Sequence, residues 1–381
     1  MDFSLTEEQK MLKAMVRDFA TKEIEPIAAQ IDEEATFPAE SIKKMAELGL
    51  MGVPFPEEYG GSGGGPLEFT IVVEELARVC ASTAGIYFVT AGLGGKPLYK
   101  AGNEEQRQRY VVPVARGEKI SCFGLTEAGA GSDATAIATS AARRDGGYVL
   151  NGNKLFITNG NEADVAVVFA TLDKSLRHKG ISAFIVEKGT PGFSVGKLEH
   201  KMGIRASSTA ELVFEDCFVP QENLLGAEGE GFKIAIESID SSRLSVAAQA
   251  IGIAQGAFDK ALAYAKERQQ FGQPIINFQA IQWMLADMAT QIETARLLNY
   301  RAAYLEQNGL PFVKESCMAK LNASEAAMFV TDRAIQIYGG YGYIREYPIE
   351  RYFRDARICG IYEGTDEMQR MTIARHLMQE V

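Results

Sequence analysis

Through the first hundred residues apolar side chains recur every three or four positions. Ser4-Leu-Thr-Glu7 has the capping-box pattern, and Met11, Leu12, Met15, Val16, Phe19 and Ala20 follow at helical spacing until Pro26 interrupts. The same periodicity predicts helices over residues 39–48, 66–78 and 82–101, with a glycine-rich loop at 59–66. From about Ile120 the texture changes to runs rich in Val, Ile, Phe, Tyr and Thr, separated by turn dipeptides. Asp145-Gly146 precedes Tyr148-Val-Leu, Asn151-Gly152 precedes Lys154-Leu-Phe-Ile-Thr, and Asn159-Gly160 follows it. Beyond about Gly231 helical spacing returns in long segments, over residues 231–270, 277–307, 311–338 and 366–379.

The order of elements is helices, strands, helices, with no alternating βαβ pattern and no internal repeat. The predicted fold is mainly α with a central β domain. It divides into an N-terminal helical domain (1–119), a small antiparallel β-sheet or barrel domain (120–230) and a C-terminal four-helix bundle (231–381). A length of 381 residues agrees with two or three such units.

Composition narrows the chemistry. With 46% hydrophobic and 23% charged residues the chain reads as an ordinary globular protein, and a net charge of −11 argues against a nucleic-acid surface. The five cysteines form no CxxC pair, which predicts buried free thiols in a reducing compartment. His178, His200 and His376 are far apart, so neither a histidine metal site nor a histidine-driven triad is expected. The opening Met-Asp-Phe-Ser-Leu-Thr-Glu-Glu resembles neither a signal nor a transit peptide. The uncharged stretch 80–95 is broken by Ser, Thr and Gly, which predicts a buried helix rather than a membrane span. The expectation is a cytoplasmic protein.

The glycine clusters do not make a dinucleotide fingerprint: Pro97 and Pro66 stand where the last glycine of G-x-G-x-x-G belongs. Gly60-Gly-Ser62-Gly-Gly matches G-x-S-x-G but lies between two predicted helices, which favours a flexible loop over a nucleophile elbow. Three other stretches carry candidate chemistry. Cys122-Phe-Gly-Leu-Thr-Glu-Ala-Gly-Ala-Gly-Ser-Asp133 offers small residues whose N–H groups suit a phosphate or ring edge, or else a structural turn capped by Ser132 or Asp133. Lys154 to Gly160 puts Phe156 and Thr158 on one strand face and Ile157 on the other, fitting a planar heteroaromatic ring or a simple core edge. In Ile361-Tyr-Glu363-Gly-Thr, the carboxylate is either a desolvated general base or a helix-terminal acid paired with an arginine of the basic run 345–357.

Taken together these segments resemble one family, the acyl-CoA dehydrogenases, over essentially the whole chain from Phe3 to His376. The pieces that carry the resemblance are Leu125-Thr-Glu-Ala-Gly-Ala-Gly-Ser-Asp, Asn151-Gly-Asn-Lys-Leu-Phe-Ile-Thr-Asn-Gly, Arg268-Gln-Gln-Phe-Gly, Phe278-Gln-Ala-Ile-Gln, Gln336-Ile-Tyr-Gly-Gly and Ile361-Tyr-Glu-Gly-Thr. The wording is similar to the short-chain, butyryl-CoA branch.

The resemblance implies FAD held between the strand domain and the second helical bundle of a homotetramer, with electrons passed to electron-transfer flavoprotein. Phe123, Leu125, Thr126, Gly131, Ser132, Phe156, Thr158, Thr365 and Glu367 are the implied cofactor contacts. Arg268, Phe271, Gln279, Gln336 and Gly340 are implied to reach the adenine and pyrophosphate end, largely from a neighbouring subunit. Ser132, Asp240, Arg243, Gly364, Tyr87 and Thr90 are implied to meet the acyl-CoA. Glu363 takes the position of the base that removes the α-proton while hydride leaves the β-carbon, giving a 2-enoyl-CoA. Some branches carry the base in the segment matching Ile239 to Arg243, where this chain has Ser242.

The helix of residues 82–95 faces the acyl tail in the family. Ala84 stands where dicarboxylate users place an arginine, which disfavours glutaryl-CoA. Gly85, Gly92, Gly94, Gly95 and Gly360 suggest either room for a branched or cyclic acyl group or close helix packing. The alternatives are enoyl-CoA reduction by the same residues, a flavin oxidase, and a non-enzymatic helical scaffold.

Overall fold

A computed structural model describes residues 4–380; residues 1–3, where the acidic opening and the family resemblance begin, and residue 381 lie outside the described residues. The first helix, Glu7–Phe19, starts one pattern later than the sequence suggested. Thr6, not Ser4, is its N-cap: the hydroxyl accepts from the Gln9 N–H at 3.2 Å and the Gln9 side chain accepts from the Thr6 N–H at 3.0 Å. Thr6 and Gln9 satisfy the capping box equally well, and this frame turns Val16 and Phe19 inward.

Helices Ala39–Glu47 and Pro66–Ala77 follow. The predicted fourth helix is not uniform, because Ala81–Tyr87 widens into a π-helical stretch, Phe88–Gly94, before Gly95–Ala101 resumes α geometry. Residues 80–95 are all buried. Among the described residues no helix is long and apolar enough to cross a membrane. The 60–64 segment is not the flexible loop its composition suggested. A Cβ on Gly61 would stand 1.9 Å from the Phe55 carbonyl oxygen, and the Gly61, Ser62 and Gly63 N–H groups all bond the 52–56 segment.

Eight strands form the central sheet: β1 (Ser121–Gly124), β2 (Ser140–Arg144), β3 (Gly147–Thr158), β4 (Val165–Thr171), β5 (Ile181–Glu187), β6 (Phe193–Leu198), β7 (Thr209–Pro220) and β8 (Leu224–Leu225). Their order is β6-β7-β3-β2-β4-β5-β8, with β1 beside β4. Pairing is antiparallel except at β4, which β1 joins in parallel and β2 touches at one parallel pair, Ser140 with Thr171. The long excursion between Gly124 and Val165 makes a parallel return possible where a tight hairpin would not. Leu150, Phe184, Leu212 and Phe214 belong to a core inside this sheet.

The C-terminal helices are Gly231–Glu267, Gln279–Gln307, Val313–Tyr338 and Asp366–Gln379, with the short Ile349–Ala356 between the last two. Gly231–Glu267 is the axis of the molecule, packing on Gln279–Gln307, on Val313–Tyr338 and on Pro66–Ala77 of the N-terminal part. Its small residues allow that closeness. Ala247, Ala250, Ala257 and Ala261 are fully buried, and a Cβ on Gly252 or Gly256 would meet the Glu74 or Arg78 carbonyl oxygen at 2.3 or 2.0 Å. The five cysteines are all free and buried, as their spacing predicted.

Candidate active site

Glu363 sits between the short helical turn Arg357–Gly360 and helix Asp366–Gln379, in left-handed backbone with φ +52°, followed by Gly364 at φ +85°. A non-glycine residue in this region costs roughly 1–3 kcal/mol and is held there by its surroundings. Here Gln369, fully buried, donates to the carbonyls of Glu363 (3.2 Å) and Gly364 (2.7 Å), and the buried Lys320 ammonium donates to the Gly364 carbonyl at 2.9 Å. Gly364 is required twice, by its φ and because a Cβ would stand 2.9 Å from the Gln369 amide nitrogen.

The carboxyl of Glu363 is raised above its ordinary pKa by burial. The neighbouring Ser242 hydroxyl and the more distant charges of Arg243 and Lys320 only partly oppose that rise. The Ser242 oxygen lies close but closes no well-formed hydrogen bond, and is buried without a partner. Among the described residues no cation pairs with Glu363 within 4.0 Å. The helix-terminal pairing considered from sequence belongs instead to Asp366, bonded to Lys320 at 3.0 Å and to Ser324 at 2.9 Å. Arg354 is spent on Asp32 and Glu350.

The long helix Gly231–Glu267 supplies the facing wall. Asp240 and Arg243 form an i,i+3 ion pair, burial raises the Asp240 pKa, and the Arg243 Nε is buried without an acceptor. Further along, the Gln249 amide donates to the Ala81 carbonyl at 2.8 Å and its oxygen accepts from the Tyr362 hydroxyl. Tyr87 and Thr90 do not offer free polar groups. Both are fully buried; the Tyr87 hydroxyl donates to the Leu50 carbonyl at 3.1 Å, and the Thr90 hydroxyl accepts from Asn159 at 3.1 Å. The glycine window divides. A Cβ would meet the Phe69 ring at 3.0 Å from Gly92, Ser121 Oγ at 2.3 Å from Gly94 and the Phe55 ring at 2.8 Å from Gly95, whereas from Gly85 its nearest neighbour is the Gln249 amide at 3.5 Å. Three of these glycines therefore serve packing and only Gly85 leaves space. Gly360 is also occupied ground, with Asp366 Oδ2 2.8 Å from its would-be Cβ.

On the sheet side, β1 carries Phe123 and leads into Leu125, both buried, then half-buried Thr126 and exposed Gly131 and Ser132. A Cβ on Gly129 or Gly131 would meet nothing within 4 Å, so this backbone is open to a ligand. Asp133 rather than Ser132 caps the following turn, accepting from the Thr135 N–H at 3.2 Å. In β3 a register shift between Lys154 and Ile157 breaks the expected alternation: Lys154 and Ile157 are both buried, while Phe156 takes φ +59° and is 62% exposed. Thr158 is half-buried.

Arg268, Phe271, Gln279, Gln336 and Gly340 are all exposed, Phe271 at 92% with φ +51°. The fold brings Arg268 and Gly340 together on a pocket of about 470 Å³ with Tyr264, Tyr338 and Tyr341. Phe271, Gln279 and Gln336 are not among its lining residues. Thr365 caps the last helix, accepting from the Met368 N–H at 3.4 Å, and Glu367 is exposed in its first turn. Lys320, Gln369, Gln249 and the pair Lys154–Glu127 were not singled out from the sequence. The only legible signal was a lysine or glutamine at an inward position of an apolar period.

These residues fit FAD. Open glycine backbone suits a pyrophosphate, and an exposed aromatic in strained backbone suits a flat ring laid against it.

Three family models match end to end: the N-terminal domain of acyl-CoA dehydrogenases over residues 6–118, their middle domain over 122–217 and their C-terminal domain over 229–378. The chain is 54% identical to a short-chain specific acyl-CoA dehydrogenase of Clostridium acetobutylicum, covering 98% of this chain and 99% of that one. It is 55% identical to an acryloyl-CoA reductase (NADH) of Anaerotignum propionicum, covering 100% and 96%. It superposes at TM-score 0.98 and 52% identity, over 99% and 100%, on a chain of the solved structure described as electron transferring flavoprotein of Acidaminococcus fermentans. Fold, site and likeness agree: this chain belongs to the acyl-CoA dehydrogenase family.

Proposed function

We propose that the protein dehydrogenates a short-chain acyl-CoA thioester to the trans-2-enoyl-CoA, with Glu363 as the base. The observation that carries this is one half-buried carboxyl, raised above its ordinary pKa and without a cation within 4.0 Å among the described residues, on a strained, braced turn. FAD, when bound, accepts the hydride from the β-carbon. Glu363 removes the α-proton, and its backbone N–H, with a ribityl hydroxyl of the cofactor, would hold the thioester oxygen as charge develops there. Burial raises the carboxyl toward the range where a base is effective. Phe123, Leu125, Thr126, Gly131, Ser132, Phe156, Thr158, Thr365 and Glu367 would hold FAD. Arg268, Phe271, Gln279, Gln336 and Gly340 would complete its adenine end across a homotetramer. Asp240, Arg243, Gly364 and Ser132 would meet the substrate.

Electron-transfer flavoprotein is the proposed acceptor, and the description of the Acidaminococcus neighbour supports that choice. The buried free thiols support a cytoplasmic setting. The acryloyl-CoA reductase relative favours a second reading, reduction of a short enoyl-CoA by the same residues. Branched or cyclic acyl groups now depend on Gly85 alone. The test is a panel of butyryl-, isobutyryl-, hexanoyl- and cyclohexanoyl-CoA assayed with an artificial electron acceptor, and of crotonyl- and acryloyl-CoA with a reduced donor. Butyryl-CoA oxidation is expected; turnover of none of the saturated thioesters refutes the dehydrogenase reading, and a clear preference for straight four-carbon substrate sinks the bulky-pocket idea.

A further inference from the structure

The turn that presents Glu363 is braced from beneath by two side chains of different helices. Lys320 is fully buried near the start of Val313–Tyr338 and makes two directed contacts, 2.9 Å to the Gly364 carbonyl and 3.0 Å to Asp366 Oδ1. Gln369, one turn into the last helix, closes on the Glu363 and Gly364 carbonyls. Two consecutive left-handed residues, φ +52° and +85°, leave these carbonyls without helical partners, and the lysine and glutamine satisfy them. A buried ammonium is expensive unless fully bonded, so a lysine that ends on a backbone carbonyl beside the base is a costly way to build a core.

We infer that Lys320, together with Gln369, is a positioning residue for the base, fixing the Glu363–Gly364 turn so that the carboxyl stays aimed at the substrate's α-carbon. This rests on the reading of Glu363 as the base. Lys320 touches neither the carboxyl nor any reacting atom; it acts through the peptide of Gly364 and through its charge. The charges acting on Glu363 are Arg243 on the long helix, itself paired with Asp240, and Lys320 on the third, itself paired with Asp366; Arg357, Cys359 and Tyr362 are the titratable groups of its own segment. Lys320 favours the ionised carboxylate, and Asp366 at 3.0 Å masks part of that charge.

The test uses FAD-loaded enzyme and butyryl-CoA, with kcat and KM measured across pH and Tm measured alongside. Lys320→Met is expected to lower kcat by about tenfold to a hundredfold through misplacement of the base, with KM changed less than about twofold. Its acid limb should move up by about one pH unit, because a charge favouring the ionised form is gone. Lys320→Arg, which keeps the charge, should return the limb toward the parent. Asp366→Asn should move the limb the other way, since it unmasks Lys320, and this variant carries the test if Lys320→Met does not fold. A Lys320→Met enzyme with a lower Tm but parental kcat and pH profile, or an Asp366→Asn limb that does not move down, overturns the inference. Glu363→Gln separates the two ideas. If that variant still turns over, the base reading fails; if it is inactive while Lys320→Met behaves as parent, only the role of Lys320 fails.

Discussion

The buried ammonium of Lys154 stands 2.6 Å from the carboxylate of Glu127, tying the inner face of β3 to the open glycine-bearing loop after β1. Lys154 also donates to the Leu125 carbonyl at 3.1 Å, and Glu127 accepts from the Thr139 N–H at 3.0 Å and from Ala138. One buried pair thus holds both ends of the segment expected to meet FAD. Burial pulls the lysine down to about 8, with Glu127 opposing the shift.

Lys154→Met leaves Glu127 buried with no counter-ion, a loss of about 3–5 kcal/mol by analogy with broken buried pairs. The expected outcome is a lower Tm together with weaker FAD retention on gel filtration. A variant that keeps FAD and Tm would mean the pair is incidental to the loop.

The Glu363 shift has a definite sign. Its folded pKa lies above the ordinary value of 4.5, so its burial costs stability increasingly as pH rises past about 4.5, in full above the folded pKa, and almost nothing well below 4.5 where both states are protonated. Glu363→Gln should therefore unfold at higher temperature than the parent at pH 7, with the gap closing toward pH 4. Activity follows the opposite course: the ionised form is the base, so parental kcat/KM should rise with pH through a limb above 4.5. Calorimetry and a pH–rate profile check the two halves separately.

The glycine window predicts a contrast between neighbours. Gly92→Ala forces a methyl to 3.0 Å from Phe69 and should lose about 1–3 kcal/mol as overpacking. Gly85→Ala meets nothing closer than 3.5 Å and should hold or gain up to about 1 kcal/mol from helix propensity. The same alanine narrows the only space the window leaves, so turnover of isobutyryl- and cyclohexanoyl-CoA should fall relative to butyryl-CoA. Urea midpoints and kcat/KM ratios for the two variants decide it.

Phe156→Ala removes a ring that is 62% exposed and packs on little. Apo-protein stability should change by about 0.5 kcal/mol or less, as for other exposed positions. FAD affinity, measured by fluorescence titration, should weaken clearly; an unchanged affinity would remove Phe156 from the cofactor site.

Much of this was legible in the chain. Hydrophobic period placed the long C-terminal helices within a few residues, because each buries a continuous apolar stripe along a straight element, and Asp366–Gln379 matched its predicted bounds. Its own segment left Glu363 open between a desolvated base and a helix-terminal acid, and only the family resemblance implied the catalytic position. Local pattern misled where two frames fitted equally, as at Ser4 against Thr6, or where composition was taken for mobility, as at the tightly packed Gly61.

What sequence alone determined is therefore the order of elements, the family likeness and the type of chemistry, since these depend on residue identity and spacing along one line. Tertiary structure alone decided which glycines are packing and which leaves room, that Tyr87 and Thr90 spend their hydroxyls inside the protein, and that Lys320 and Gln369 brace the turn of the base. Lys320 lies 44 residues before Gly364. A contact between residues so far apart leaves no periodic trace, and only the packing of helix on helix brings the charge beneath the carbonyl it holds.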